Sequence, residues 1–337
     1  MPAIHPAYED RRKAVHRIDA SRVWAVLIGI DVYPSSDCTS LRGCVNDVKK
    51  MAKFLTEDLG VPNDHIQCLL GASSQSWSTI VNIILSVYHY FVSTKSTPTR
   101  INIIDTLLNL SMKPEIQYND NIIIYFAGHA SSYKCSDYHI EGGPSAEGHI
   151  EALCPMDRTA PSGTDDNIPD ISDREINTIL TEISRTKGRH ITFILDCCYS
   201  AGNTRGPLNV RRGAVPLPPA TLSATKIMLE HAHTRLRDLP KYHSVFDGHW
   251  KPDMSSHVAL AACKDYQPAE EGPGTDSRWN GMFTGALIEV LKSDNLTEGS
   301  TYADLIDAVK EKMSRNTTQM PVVAGNADSR LWYQPQV

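Results

Sequence analysis

The sequence predicts an α/β fold in which a mostly parallel sheet is covered by helices on both faces. Apolar runs typical of buried strands alternate along the chain with segments of helical periodicity, and this order favours parallel strands joined by crossover helices. Two of the strand-like runs lead directly into His129 and Cys198, residues able to do chemistry. Neither glycine-rich phosphate-binding pattern, GxGxxG or GxxxxGK[ST], occurs in the sequence, which disfavours a nucleotide-dependent enzyme.

Six strands are predicted from short apolar runs that lack helical periodicity. Residues 24–30 form a nearly continuous run of the kind found in buried parallel strands, and residues 121–126 are β-branched and aromatic with no breaker. Residues 131–150 are predicted to form a polar loop. The other predicted strands are 65–70, 152–155, 190–195 and 257–262.

Six helices are predicted from segments whose apolar residues recur at helical spacing. Residues 41–59 show this spacing and are followed by Gly60. Segment 171–185 begins with Ser172 and has Glu175 three residues later, the pattern of a capping box that satisfies free backbone N–H groups. The remaining predicted helices are 99–112, 223–236, 283–291 and 302–313.

Composition limits the classes of partner. The 337 residues are 41% hydrophobic and 21% charged, which is ordinary for a globular protein with a sizeable core. The net charge is −6 and the basic residues are scattered, so neither nucleic acid nor an anionic membrane is expected as a partner.

The apolar stretch 80–92 is too short to span a bilayer. Eight irregularly spaced cysteines without a secretory signal predict reduced thiols and a cytoplasmic, or else nuclear, location.

A histidine and a cysteine at the ends of adjacent parallel strands can meet, although about 70 residues separate them in sequence. The pairing matters because a thiol with a pKa near 8.5 is mostly protonated at neutral pH, and a neighbouring imidazole favours the thiolate. Taken singly, Cys198 or His129 is more often a core or satisfied polar residue. The N–H groups of Gly128 and Cys198 are candidates for an oxyanion hole, and Gly128 leaves room for a substrate backbone.

Four sequence blocks, WAVLIGIDVYP, LRGCVNDVKKMAKFL, IIIYFAGHA and ILDCCYSAG, resemble in this order the core blocks of the caspase-like cysteine peptidases (peptidase family C14), and within them the metacaspases. The similarity covers residues 22–203, with weaker likeness further on. It implies a three-layer α/β/α sandwich and a peptidase whose substrates are proteins or peptides. It also implies a monomer, since metacaspases, unlike caspases, are usually monomeric.

The resemblance assigns roles to individual residues. Matching the family pattern Asp-x-Cys-His-Ser-Gly makes Cys198 the nucleophile and His129 its partner, acting through a thioester. The metacaspase S1 pocket, which takes Arg or Lys, corresponds here to Cys44, Asp47, Ala127 and Asp196. Two carboxylates converging on one slot would attract a cation and reject an aspartate side chain.

Departures from the family pattern leave alternatives open. Tyr199 and Ala201 stand where the family has His and Gly, and Ala127 where serine is common. Tyr199, Ala201 and the apolar insertion at 79–92 favour, mildly, a second hypothesis: a catalytically weak or inactive caspase-like scaffold that acts in signalling. Cys197 remains a competing nucleophile, and a redox function of the Cys197-Cys198 pair is a weaker third possibility.

No cofactor or resident metal is expected. Many metacaspases bind Ca²⁺ through an aspartate cluster, but here only Asp173 matches a ligand position, whereas Ile150 and Arg174 occupy others. A hard cation needs several oxygen ligands, so the sequence predicts weak or absent Ca²⁺ dependence.

One caspase-like domain is predicted over residues 22–337, after an N-terminal extension, 1–21. Its large-subunit-like part is 22–202, with an insertion at about 72–98, and its small-subunit-like part is 257–337. The segment between them, 203–256, is predicted to be a linker that the enzyme cuts after a basic residue or leaves as an intact surface loop. The basic residues of this linker are Arg205, Arg211, Arg212, Arg235, Arg237 and Lys241.

Overall fold

A six-stranded sheet forms the centre of the computed structural model. The structure describes residues 18–34, 38–71, 96–134, 149–159, 167–197, 210–211, 222–264, 267, 269–274, 277–293, 296–297, 299–313, 317 and 319–332. The strands are, in chain order, β1 (Val23–Ile30), β2 (Ile66–Gly71), β3 (Asn121–Ala127), β4 (Ala130–Lys134), β5 (His149–Leu153), β6 (Ile171–Ser172), β7 (Ile191–Asp196), β8 (Val210–Arg211), β9 (Val258–Ala261), β10 (Ala269–Pro273), β11 (Trp279–Gly281) and β12 (Val322–Gly325). The helices are α1 (Cys44–Lys53), α2 (Arg100–Met112), α3 (Asp173–Lys187), α4 (Leu222–Leu236), α5 (Met282–Leu291) and α6 (Tyr302–Met313).

The central sheet is parallel except at one edge. Its strand order is β12-β9-β7-β3-β1-β2, and only β12 pairs antiparallel to its neighbour. Every residue of β1, β3 and β7 is buried, which explains why these strands are apolar throughout rather than alternating. The mostly parallel sheet predicted from the sequence is confirmed.

The two faces of the sheet are covered by different helices. Ala25 and Leu27 of β1 lie in the cluster that includes the apolar faces of α1, α5 and α6. Val26 and Ile28 point the other way, into the cluster formed with α2 and α3. Successive side chains of a strand alternate between faces, so one continuous apolar run contributes to both cores. The predicted three-layer α/β/α sandwich is therefore confirmed.

Two small antiparallel sheets flank the central one. Strands β4, β5 and β6 form the first, and β11, β10 and β8 form the second. The prediction of a loop over 131–150 is wrong at both ends, since β4 extends to Lys134 and β5 begins at His149. The segment was predicted to be a loop because its residues are polar, but some of these residues are buried in β4. Ser131 donates a hydrogen bond to Asp170 over 2.5 Å, and this bond permits its burial in a strand.

Two helices, α2 and α3, begin at local side-chain caps, Thr99 and Ser172, and α3 starts at Asp173 rather than at the predicted residue 171. Helix α1 begins at Cys44 rather than at residue 41, and it continues into a π-helical turn at Phe54–Asp58. Ser172 caps α3 by accepting the N–H of Glu175 over 3.1 Å. The Glu175 carboxylate pairs instead with Arg100, at 2.5 Å, so only the serine half of the capping box is confirmed.

Part of the predicted linker is regular structure. It contains β8 and α4, and α4 packs on the β4-β5-β6 sheet through Met228 and Leu229. Arg235, within α4, pairs with Asp105. Most of the predicted insertion, 72–95, lies outside the described residues, and the domain boundaries remain predictions. Over the ranges that the structure describes, none of the helices has both the length and the apolarity needed to cross a membrane.

The start of β9 provides a test of acid stability. His257 is buried against Phe193 and shares a hydrogen bond with Ser256, and burial lowers the pKa of its imidazole from 6.5 to about 4. The folded chain therefore binds this proton less readily than the unfolded chain. Its contribution to stability is complete above about pH 6.5 and is lost toward pH 4, with an upper value of about 3 kcal/mol.

We expect His257→Gln to flatten this pH dependence. Urea unfolding at several pH values should show the wild type losing more stability than the variant between pH 6.5 and 4. The exposed His249, replaced by Gln, serves as the matched control and should leave the slope unchanged. Equal slopes for wild type and His257→Gln would contradict the assignment.

Candidate active site

The carboxyl ends of β3 and β7 lie side by side at one edge of the central sheet. The two strands are adjacent and parallel, and Ala127 pairs in register with Asp196. His129 stands two residues beyond Ala127, and Cys198 stands two residues beyond Asp196. Cys198 itself lies outside the described residues, as do Tyr199 and Ala201, so its predicted contact with His129 stays a prediction.

The imidazole of His129 is fixed by a backbone carbonyl. Its Nε2 lies 2.7 Å from the carbonyl oxygen of Thr39. Because a carbonyl only accepts hydrogen bonds, Nε2 carries the proton in this contact, and in the neutral ring Nδ1 is then the basic nitrogen. The side chain is only 1% exposed, and its ring lies 5.0 Å, centre to centre, from the tilted ring of Tyr33.

Tyr33 also holds the backbone at this point. Its hydroxyl oxygen accepts the N–H of His129 over 2.8 Å, and burial raises the pKa of the phenol well above 10, so it stays neutral. A Cβ atom at Gly128 would lie 2.8 Å from that hydroxyl and 3.0 Å from the ring of Phe126. Glycine is thus required at position 128 by the packing of Tyr33 itself, in addition to the predicted approach of a substrate.

The two predicted pocket carboxylates both bind the start of α5. Asp196 accepts hydrogen bonds from the N–H of Thr284 (3.2 Å) and from its hydroxyl (2.5 Å), and Tyr125 is 2.7 Å from that hydroxyl. Both carboxylate oxygens of Asp47 accept the N–H of Gly281, at 3.1 and 3.0 Å. Negative charge is stabilised at a helix N-terminus by the free N–H groups and the helix dipole. The structure thus brings Asp47 and Asp196, both fully buried, to one turn of one helix.

The other two predicted pocket residues are part of the buried wall. Cys44 is the first residue of α1 and Ala127 the last of β3, and both are fully buried. A Cβ atom at Gly29 would lie 2.6 Å from the carbonyl oxygen of Cys44, so glycine allows α1 to start directly against β1. The assignment of these residues to an S1 pocket stays a prediction.

Two further carboxylates hold the start of α1, and sequence analysis did not assign them. Asp31 accepts the N–H of Cys44 over 2.8 Å, and Glu271 accepts the N–H groups of Arg42 and Gly43, each over 3.1 Å. Asp31 could have been suspected, because it directly follows a buried strand. Glu271 lies more than 200 residues after the start of α1, and no pattern in its neighbouring residues indicates this contact.

Cys197 points away from the side of the sheet that carries Asp196. It is 1% exposed and packs in the same cluster as Phe193 and Leu195, which continues the alternation of β7. Its carbonyl oxygen lies 3.7 Å from the sulfur of Cys263. Cys197 is thus a buried core residue, and the choice between the two thiols as nucleophile stays a prediction.

Comparison with known proteins identifies the family. The sequence profile of the caspase domain matches residues 22–331. The chain belongs to the caspase-domain family. The recognition of the caspase-like family from the four sequence blocks is thereby confirmed, and metacaspase relatives confirm the likeness to metacaspases.

Curated relatives of this caspase domain include metacaspase-1 of Schizosaccharomyces pombe, 22% identical over 319 residues, and metacaspase-3 of Arabidopsis thaliana, 28% identical over 298 residues. The alignments cover 88% and 86% of this chain but only 65% and 66% of the relatives, so the chain spans slightly less than two thirds of their length. A crystal structure of protein GSU0716 from Geobacter sulfurreducens shares the fold, with a TM-score of 0.56 and 16% identity over 92% of this chain and 98% of that one.

Asp173 and Arg174, at two of the positions that correspond to calcium ligands in metacaspases, both contact protein groups in the structure. Asp173 accepts the N–H of Arg174 over 2.7 Å, and burial raises the pKa of its carboxyl to about 6. The Arg174 guanidinium donates to the carbonyl oxygens of Val245 (2.5 Å) and Asp247 (3.0 Å) and lies over Trp250. Both side chains therefore have protein partners in the structure, and weak or absent Ca²⁺ dependence stays a prediction.

The contact between Asp196 and α5 can be tested through stability. Thr284→Val keeps the shape of the side chain but removes the hydroxyl that joins Asp196 to Tyr125, all in a buried site. We expect unfolding to become easier by about 1–3 kcal/mol. Urea denaturation measures this, with Thr284→Ser as the control that restores the hydroxyl. A Val variant as stable as the Ser variant would contradict the role of the hydroxyl.

Proposed function

We propose that this caspase domain is a cysteine endopeptidase in which Cys198 is the nucleophile and His129 the general acid and base. The observation that carries the proposal is the register of β3 and β7. Because Ala127 and Asp196 are paired, we expect the residues two positions beyond them, His129 and Cys198, to lie near each other. Paired strand ends at the carboxyl edge are where α/β proteins bring functional side chains together.

The proposed reaction follows from these two groups. The thiolate sulfur attacks the peptide carbonyl carbon, and the carbonyl oxygen becomes an oxyanion to which the N–H groups of Gly128 and Cys198 donate. The imidazolium gives its proton to the departing amine, leaving a thioester. Water then loses a proton to His129 and attacks the thioester, which releases the acid and regenerates the thiol.

The contact of Nε2 with Thr39 supports this division of roles. With its proton held toward the Thr39 carbonyl, the ring presents Nδ1 to accept the thiol proton. The same carbonyl oxygen stabilises the charge of the imidazolium once that proton has been taken up. Tyr33, which holds the His129 N–H, limits motion of the backbone that carries the ring.

We propose Arg or Lys as the residue before the cleaved bond, because Asp47 and Asp196 both lie at the start of α5 and would attract a positively charged side chain.

A second function is favoured by the same contacts: both carboxylates are fully buried and already accept hydrogen bonds from α5. The start of α5 engages both oxygens of Asp47 and Oδ2 of Asp196, so these charges already serve the fold, as expected of a caspase-like scaffold. The remaining proposals are protein or peptide substrates, a monomeric state and a cytoplasmic or nuclear location.

The decisive experiment is peptide cleavage by the wild type, Cys198→Ala, His129→Ala and Cys197→Ala. Fluorogenic peptides should end in Arg, Lys, Gln or Asp before the reporter. We expect the wild type to cleave after Arg and Lys, the first two variants to lose about three orders of magnitude or more in kcat, and Cys197→Ala to keep most of its activity.

Three outcomes would contradict parts of this proposal. Inactivity of Cys197→Ala together with activity of Cys198→Ala would show that Cys197, and not Cys198, is the nucleophile. Cleavage after Asp would overturn the basic specificity. A folded wild type that cleaves none of the peptides and is not alkylated faster at Cys198 than at an ordinary thiol would favour the scaffold.

Calcium provides a separate prediction. Because Arg174 places a fixed cation at a family ligand position, we propose that cleavage does not require Ca²⁺. Rates measured in millimolar calcium and in excess chelator should agree within about twofold. An absolute requirement for calcium would refute this prediction, whereas it would leave the assignment of Cys198 and His129 untouched.

A further inference from the structure

The residue that holds the His129 ring is itself next to an anchored cysteine. Thr39 supplies the carbonyl that contacts Nε2, and the preceding residue, Cys38, receives a hydrogen bond on its sulfur from Arg158 Nη1 over 3.0 Å. Cys38 is buried. Arg158 therefore acts on the backbone one residue away from the atom that orients the imidazole.

Arg158 is held rigidly by a second buried charge. Its Nε and Nη2 donate to the two carboxylate oxygens of Asp170, at 2.7 and 2.9 Å, the forked geometry that fixes a guanidinium in its plane. Asp170 also accepts the hydroxyls of Ser131 (2.5 Å) and Tyr133 (2.8 Å). Both members of the ion pair are essentially inaccessible to solvent, so neither can exchange its partner for water.

These contacts form a closed ring that includes the catalytic base. Ser131 follows His129 by two residues in the same stretch of chain, so Asp170 holds the His129 backbone through Ser131. Through Arg158 and Cys38, the same carboxylate holds the loop that carries Thr39. One buried ion pair thus fixes both the strand that carries the imidazole and the carbonyl that the imidazole contacts.

We propose that Arg158 and Asp170 are positioning residues for His129, acting through Cys38 to keep the Thr39 carbonyl against Nε2. Stability alone is a weak explanation for the pair, because desolvation largely offsets the attraction within a buried ion pair. A role in positioning the imidazole accounts for the location of the pair, because only the Arg158–Cys38 and Thr39–His129 hydrogen bonds lie between the guanidinium and the ring. This inference rests on the proposed peptidase function for its kinetic consequences, but the ring orientation can be measured without any activity.

The most specific test is the variant Cys38→Ala, which removes the sulfur that accepts the hydrogen bond from Arg158 Nη1 and leaves the ion pair intact. Cys38→Ser restores an acceptor and is the conservative rescue. Cys68→Ala, at a half-buried cysteine in the middle of β2, is the matched control. Arg158→Lys keeps the charge but has no fork with which to hold Asp170 and Cys38 together.

Two readouts are needed. NMR of ¹⁵N-labelled histidine, assigned with His129→Gln, reports which ring nitrogen carries the proton. We expect Nε2–H in the wild type, Cys38→Ser and Cys68→Ala, and a mixture of tautomers in Cys38→Ala. Steady-state kinetics should show kcat about three- to tenfold lower in Cys38→Ala, the loss typical of one hydrogen bond, with KM unchanged because the substrate contacts remain. Arg158→Lys should change both readouts in the same direction.

The outcomes separate this inference from the proposed function. If the wild type cleaves no peptide but its tautomer shifts in Cys38→Ala and returns in Cys38→Ser, the positioning role stands and the peptidase proposal falls. If the peptidase is active and Cys38→Ala leaves both tautomer and kcat unchanged, the positioning role is overturned. A loss of kcat that Cys38→Ser fails to restore, with an unchanged tautomer, also overturns it. Should Arg158→Lys fail to fold, the two Cys38 variants still decide.

Discussion

The parallel pairing of β3 with β7 is the constraint on which the candidate site depends. It aligns Ala127 with Asp196, the last residues of the two strands, at one edge of the sheet. Hydrophobic burial on both faces maintains this register, because a shift by one residue would turn every core side chain to the opposite face. Buried apolar residues such as Ile123 and Ile194 therefore determine where the two strand ends lie relative to each other.

Carboxylates bonded to backbone N–H groups connect this edge to its surroundings. Asp31 and Glu271 hold the start of α1, while Asp47 and Asp196 hold the start of α5. Glu271, Asp47 and Asp196 join segments that are far apart in sequence, so the acidic character of the edge has a structural cause independent of any substrate. A pocket for a basic side chain would make use of charge that the fold already needs.

The sequence was sufficient to predict the elements whose signal is local. The buried strands and the amphipathic helices follow from periodicity, and His129 was found because it ends a continuous apolar run. Strand β12 was missed because it is short and its partner, β9, is distant in sequence, and β10 and β11 were missed because these short strands lack an apolar pattern, although they pair with each other. Tyr33 and Thr39 were also missed as contacts of His129. Their roles arise only when β1 and the loop after it are placed beside β3, and nothing in their neighbouring residues shows that placement.

The central sheet crosses the predicted division between the two parts of the domain. β7 lies before the segment 203–256 and β9 lies after it, yet the two strands are hydrogen-bonded neighbours, and α5 and α6 share a core with β1. Cleavage of the chain between β7 and β9 would therefore break a peptide bond but leave the shared sheet and core in place. The resulting fragments would remain a tightly associated pair and would come apart only under conditions that unfold the whole domain.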